Sequence, residues 1–192
     1  MACAAAGHSV VELIVTDRLQ LIPVTSKEAS KDLHQVFLSL DVMRPFRGMF
    51  GALSSEEYVK FIDARIQGWK NGPFGLFAIY SKDRNEFIGS CALEKAGEDC
   101  AIENGVAELA YLVIRSMQNK SYELEAAKAL MVYATKLFHE KVYVGNRPLK
   151  VVKTDMYIGS ISYLGKIAKE LGMDGPNVSK DQDSCSYRIL LR

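Results

Sequence analysis

Few residues in this sequence are typed and spaced for chemistry. His8, His34 and His139 are scattered, with no serine or aspartate at an informative distance, so no nucleophile–base dyad is indicated. Cys3, Cys91, Cys100 and Cys185 form no Cys-x-x-Cys pair and no Cys/His cluster of zinc spacing. The expectation is four reduced thiols and no metal, with Cys91 and Cys185 as core residues in or beside strands. One stretch concentrates charge: residues 115–153 hold eight basic side chains against three acidic ones. It begins directly after the apolar run Val106-Ala-Glu-Leu-Ala-Tyr-Leu-Val-Ile114, which carries a single carboxylate, Glu108. Local positive charge at a strand–helix junction suits a small polyanion; a solvated helix face is the plain alternative.

Those residues need elements to place them. Val10 to Thr25 is β-branched and apolar and reads as a strand. Ser26 can cap a helix to about Leu40, with Ala29, Leu33, Val36 and Phe37 on one face. Residues 43–52, with Pro45, Gly48 and Gly51, read as a loop. Ser54-Ser-Glu-Glu57 has capping-box spacing ahead of a second helix, which Asn71-Gly-Pro73 stops. A hairpin spans 74–80 and 87–93, and a loop over 94–105 leads into the strand 106–114. A helix from about 119 to 139 follows, then a turn at 144–148 and a strand at 149–155. A helix over 160–171 ends at Gly172, a polar loop covers 174–184, and a strand closes the chain at 187–191. The order β-α-α-β-β-β-α-β-α-β predicts a mixed sheet covered by helices, with 106–155 as a parallel crossover. In open sheets, ligands tend to bind where the C-terminal end of such a strand meets the next helix.

Composition bounds the rest. With 192 residues, 48% of them hydrophobic and 24% charged, the chain is ordinary for one soluble domain. A formal net charge of +1 argues against a nucleic-acid binder. No apolar run has the length of a membrane span, and the N-terminus has no basic region of a secretion signal. The expectation is a cytoplasmic protein with a tail over residues 1–9 and one domain over 10–192, as monomer or homodimer.

The run from Glu108 to Leu130, the opening Thr16-Asp-Arg-Leu-Gln-Leu-Ile-Pro-Val-Thr25, the triplet Leu171-Gly-Met173 and the closing strand Tyr187-Arg-Ile-Leu-Leu191 resemble the GNAT N-acetyltransferase superfamily. The ribosomal-protein N-terminal acetyltransferase branch is the nearest. The resemblance covers nearly the whole chain in element order, and 16–25, 108–130 and 164–173 residue by residue. It implies an α+β fold of three α/β/α layers, with a centrally splayed mixed sheet of about six to seven strands and about four helices. It also implies transfer of an acetyl group from acetyl-CoA, or another acyl-CoA, to a primary amine without a metal. The acceptor is then a protein N-terminus or a small-molecule amine.

Carried over residue by residue, the resemblance puts the backbone of Leu112, Val113 and Ile114 against pantetheine. The turn Met117, Gln118, Asn119, Lys120, Ser121 and Tyr122 goes around the pyrophosphate. Glu108 aligns with the strand glutamate of the family and becomes the candidate general base; a structural hydrogen bond is its alternative. Two family glycines fall on Asn119 and Ser121. In the last helix the family's Asn-x-x-Ser falls on Ile161 and Leu164, and a tyrosine of other branches on Ala168. Ser160 and Ser162, with Tyr163 close by, are the nearest hydroxyls for a catalytic donor; a helix N-cap is the alternative for Ser160. Trp69, Phe74 and, in the loop 43–52, Phe46 are candidates to line the acceptor pocket, with core packing as the alternative. The second functional reading is a CoA-binding or protein-interaction module that keeps the fold without catalysis.

Overall fold

The computed structural model describes residues 13–47, 52–97, 103–157, 161–179 and 184–192, and only the backbone of 44–47, 157 and 161–163. The expected tail over 1–9 lies outside the described residues. Strands β1 (Ile14–Val15) and β2 (Leu19–Pro23) open the fold. Helices α1 (His34–Phe37), α2 (Leu40–Arg47) and α3 (Ser55–Lys70) follow. Strands β3 (Gly75–Ser81), β4 (Phe87–Lys95) and β5 (Val106–Val113) then lead into α4 (Tyr122–His139). A small hairpin, β6 (Tyr143–Val144) and β7 (Arg147–Pro148), precedes β8 (Val151–Tyr157). Helix α5 (Ile161–Glu170), β9 (Asp174–Val178) and β10 (Ser184–Leu190) complete it. Among the described residues, no helix is long and apolar enough to cross a membrane.

Among the described residues, the main sheet has eight strands in the order β1-β2-β3-β4-β5-β8-β10-β9. The expected six to seven strands become eight because β1 separates from β2 and because 174–178 is a strand rather than a polar loop. Its sequence, Asp-Gly-Pro-Asn-Val, reads as a turn; it is tolerated as a strand because β9 is a fully exposed edge. Both faces of the sheet are covered, which gives the three α/β/α layers. Val36, Phe37, Val42, Met43 and Ile62 from α1, α2 and α3, with Leu33 just before α1, pack on one face. Ala126, Ala127, Leu130, Ala134 and Leu137 of α4, with Leu164, Ile167 and Ala168 of α5, pack on the other. Strand β3, buried along its whole length, contributes Phe77 and Ile79 to one face and Leu76, Ala78 and Tyr80 to the other.

Two helices differ from expectation. The helix expected over 26–40 is a single 3-10 turn at Glu28–Ser30 and the short α1. The next helix begins at Leu40 and runs through Pro45 to Arg47, across the expected loop. Burial of Val42 and Met43, at 3% and 5% exposure, outweighs the amide hydrogen bond that Pro45 cannot donate. The capping box at α3 forms as expected: Glu57 N–H donates to Ser54 Oγ at 3.2 Å, and Ser54 N–H to Glu57 Oε2 at 2.7 Å.

The β5–β8 seam decides the geometry of the site. Among the described residues, every other pairing in the sheet is antiparallel; β5 and β8 are parallel. Their register holds for Val106↔Val151, Ala107↔Val152 and Glu108↔Lys153, and then stops. Beyond it β5 stays paired with β4 as far as Gly89↔Val113, and β8 with β10 as far as Ser184↔Tyr157. A wedge therefore opens between the two strands, lined by main chain that has no ladder partner across it.

Gly89 lets β4 close on β5 beside this wedge. A Cβ there would lie 2.1 Å from Leu112 O and 2.8 Å from Val113 Cα, both backbone atoms that cannot rotate away. Gly89→Ala should therefore cost about 1–3 kcal/mol of stability, typical of overpacking. A fall in the urea midpoint at unchanged slope would show it.

Candidate functional site

Glu108 sits at the apex of the wedge, the last β5 residue paired with β8. Alternation along β5 sends its side chain to the α1–α3 face, with Ala110 and Leu112. There it borders a cavity of about 280 Å³, walled by Phe37, Phe61, Leu76, Ala110 and Leu112. Burial raises the Glu108 carboxyl above the ordinary range, and the charge of Asp155 raises it further. Lys153 pulls the other way, and Glu94 and Glu103 add smaller upward pushes.

A second carboxylate stands directly opposite. Glu94 on β4 is the register partner of Glu108. Burial raises it too, against the lowering effect of Arg65. Arg65 Nε from α3 lies 2.6 Å from Glu94 Oε1, as an ion pair whose N–H is not aimed for a hydrogen bond. The same guanidinium lies 4.4 Å from the centroid of the Phe61 ring. Arg65 and Glu94 also line a second, more polar cavity of about 350 Å³, which runs toward Asn71, Gly72 and Lys95. The sequence put Glu94 at the start of the loop after the hairpin; β4 instead runs to Lys95, and the register of β4 on β5 brings Glu94 to Glu108.

The same row continues across the sheet. Lys153 faces Glu108 from β8, and Arg188 on β10 faces Lys153. Lys153 is buried, and its Nζ lies 2.6 Å from Glu103 Oε1 and 2.8 Å from Asp155 Oδ2. Arg188 reaches Glu103 Oε2 at 3.4 Å. Desolvation alone would lower Lys153, but its two carboxylate partners hold it above the ordinary lysine value. Lys153 is thus a fixed cation beside Glu108, engaged by two other acids.

Past the C-terminal end of β5 the chain makes a 3-10 turn at Arg115–Met117 and then reaches the expected cofactor turn. Asn119 and Ser121 both have positive φ, 63° and 59°. The sequence resemblance expects glycine at these two positions, and left-handed backbone is the conformation glycine adopts without strain. Asn119, Lys120 and Ser121 are exposed, Met117 is buried, and Ser121 stands at the N-cap of α4 with no capping bond from its side chain. The first turn of α4 leaves N–H groups without intrahelical acceptors, at the positive end of the helix dipole. Leu112 and Val113 are buried, and the Val113 carbonyl accepts from Gln118 Nε2 at 3.2 Å. Ile114 N–H is tied to Ile88 O at 3.0 Å.

The other expected residues are placed as follows. Ser160 lies outside the described residues. Ser162 is in α5 and Phe46 in α2, and the side chains of both lie outside what is described. Trp69 is not beside Glu108. Its indole packs in the α4-side core, edge-on to Phe77 at 5.1 Å, and donates from Nε1 to Leu76 O at 3.2 Å. Phe74 belongs to the same core and borders the polar cavity rather than the one at Glu108. Leu164 and Ala168, the positions onto which the sequence resemblance maps hydroxyl residues, are fully embedded in that core. A hydroxyl does reach α5 from β5: Tyr111 Oη, inside the wedge on the α4–α5 side, donates to Leu164 O at 3.4 Å.

A family model described as an acetyltransferase (GNAT) domain matches residues 18–163. No curated protein matches the sequence. Among solved structures, an acetyltransferase from Agrobacterium tumefaciens str. C58 is similar at TM-score 0.72 and 16% identity, over 97% of this chain and 99% of that one. RimL, a ribosomal L7/L12 alpha-N-protein acetyltransferase in complex with coenzyme A, is similar at TM-score 0.69 and 18% identity, over 94% of this chain and 98% of its own. The Salmonella typhimurium acetyl transferase that modifies the N-terminal serine of 50S ribosomal subunit protein L7/L12 gives TM-score 0.67 at 16% identity, over 94% and 100%. At such identities these likenesses speak to the fold. The family match carries more, because it spans β2, the wedge, Glu108 and the turn before α4. This chain belongs to the GNAT family of N-acetyltransferases.

Proposed function

We propose that this protein transfers an acetyl group from acetyl-CoA to a primary amine, with Glu108 as general base. The observation that carries the reading is the placement of a carboxylate of raised proton affinity at the apex of a wedge whose far end opens onto the left-handed turn before α4. The unpaired main chain of β5 offers hydrogen-bonding groups to the pantetheine amides. The turn 117–122 and the N-terminus of α4 offer N–H groups to the pyrophosphate. These features fit the cofactor, which supplies the thioester carbonyl that the amine attacks.

The chain's own residues do the rest. Glu108, directly or through one water, takes a proton from the acceptor ammonium and frees the nitrogen lone pair. Its raised affinity brings the base closer to the pH at which it must work. Lys153 cannot take over the task, since it is held protonated by Glu103 and Asp155. The apolar wall of Phe37, Phe61 and Leu76 excludes water around the acceptor nitrogen. No hydroxyl of α5 among the described side chains faces the site, so Ser160 and Ser162 stay as the candidates for a donor to the leaving thiolate. The structures similar to this one include enzymes acting on a ribosomal protein N-terminus, which supports a protein α-amine as acceptor; a small amine is the other form of the same chemistry.

Calorimetric titration with acetyl-CoA, followed by thiol release across N-terminal peptides and small amines, tests the reading. Binding with turnover is expected; absence of binding at millimolar acetyl-CoA would overturn it. Glu108→Gln should lower kcat/KM at neutral pH by about a hundredfold, the scale of a lost general base, with acetyl-CoA affinity within about twofold of wild type. Undiminished turnover would remove Glu108 from the role.

The pH dependence has a defined sign. The folded protein binds the Glu108 proton more tightly than the unfolded chain does. Stability from this group is therefore gained as pH falls through the interval between the two pKa values and lost as pH rises through it. Chemical denaturation across pH 4–8 (an interval set by the carboxylate reference of about 4.3) should show that component in wild type and not in Glu108→Gln. The acid limb of kcat/KM should lie above the ordinary carboxylate range for the same reason.

A further inference from the structure

The turn before α4 poses a physical problem. Asn119 and Ser121 hold left-handed backbone without being glycine. Each such residue costs on the order of 1 kcal/mol, less for asparagine than for serine. Ser121 gains nothing back from capping, since its side chain makes no cap hydrogen bond. Something outside the turn must hold it.

Arg18, in the turn between β1 and β2, holds it through contacts to Lys120, Tyr122 and Glu125. Its Nη1 donates to Lys120 O at 3.0 Å, between the two left-handed residues. Its Nε lies 2.6 Å from Glu125 Oε2, and its backbone N–H donates to Glu125 Oε1 at 2.9 Å, one turn into α4. Its guanidinium sits 4.6 Å from the centroid of the Tyr122 ring. Thr16 Oγ1 adds a bond to Glu125 Oε1 at 2.5 Å, so the carboxylate that anchors Arg18 is itself fixed. Burial tends to raise Glu125, but the bonds from Thr16 and Arg18 bring it below its ordinary value, so it stays ionised. The planar fork of the guanidinium is what allows one side chain to serve a carbonyl and a carboxylate together. In a trans peptide the C=O and the following N–H point in opposite directions. Drawing Lys120 O toward Arg18 therefore turns the Ser121 N–H away from Arg18.

We propose that Arg18 is a positioning residue for the cofactor turn: by holding Lys120 O it clamps Asn119 and Ser121 in the left-handed geometry that glycine would adopt unaided. The proposal rests on the acetyl-CoA reading above and adds to it the residue that replaces the two glycines.

Coenzyme A itself is the probe, titrated by calorimetry into wild type, Arg18→Ala, Arg18→Lys, the pair Asn119→Gly with Ser121→Gly, and that pair combined with Arg18→Ala. Loss of a charge-assisted clamp should weaken CoA about tenfold in Arg18→Ala. Arg18→Lys should weaken it nearly as much, because an ammonium cannot bridge Lys120 O and Glu125 together. In the glycine background the same Arg18→Ala change should cost no more than about threefold, a coupling that a mere tether between β1–β2 and α4 would not produce. In turnover, KM for acetyl-CoA should rise while kcat at saturation stays unchanged. Equal losses from Arg18→Ala in both backgrounds, or CoA affinity of Arg18→Ala like that of wild type, would overturn the clamp while leaving the acetyl-CoA reading intact. Absence of CoA binding by wild type would overturn both. If Arg18→Ala does not fold, Arg18→Lys makes the same comparison in the two backgrounds.

Discussion

The three-residue parallel ladder between β5 and β8 is the constraint on which the rest of the structure depends. Had the register continued past Glu108 and Lys153, the sheet would be closed and its backbone groups satisfied within the protein. Because it stops, main chain in the middle of the molecule is left facing a gap, a state that proteins avoid unless another partner is to supply the missing hydrogen bonds. The antiparallel partners on either side, β4 and β10, keep their own registers to the ends of the strands. The gap is thus built in at one seam rather than spread as looseness across the sheet.

Electrostatics at the apex follow from the same register. Glu94, Glu108, Lys153 and Arg188 form one row across four strands, two acids followed by two bases. Bringing two carboxylates side by side in partial burial is unfavourable, and Arg65 and Lys153 offset it from opposite ends. Lys153, however, is already shared between Glu103 and Asp155, so its help to Glu108 is partial. The net charge of +1 therefore says little about the site. The compensation occurs residue by residue within the row and leaves both of its acids holding their protons more tightly than usual.

Much of this was legible in the sequence, for physical reasons that differ from element to element. The strand 106–114 and the amphipathic helix after it announce themselves by period, and Glu108 is conspicuous as the one charge in an apolar run. The left-handed turn was legible only through family glycines, since Asn119-Lys-Ser121 has no distinctive signal of its own. Glu94 and Tyr111 were not legible as neighbours of anything, because which residues meet across a sheet depends on register, and register is a property of two strands at once. Trp69 carried two readings, acceptor wall or core packing; Gly75 leaves room for the indole to fold to the other face of the sheet, where it packs in the core. Helix α2 was hidden by Pro45, whose local penalty is outweighed by burial that only the folded protein reveals.

The two cores on opposite faces of the sheet have a mechanical consequence. The strands β1 to β5 form one antiparallel ribbon and β8 to β10 another, joined along the sheet by a short parallel stitch. So short a stitch cannot fix the angle between two ribbons. That angle is set by what packs above and below: α4 against β2, β4 and β5, α5 against β8, β9 and β10, and α2 bridging β5 and β8 on the opposite side. The width of the gap is therefore governed by side-chain volume in these helices. An exchange such as leucine for alanine deep in α4 would act on the site as a hinge adjustment, at a distance and without touching any residue that lines it.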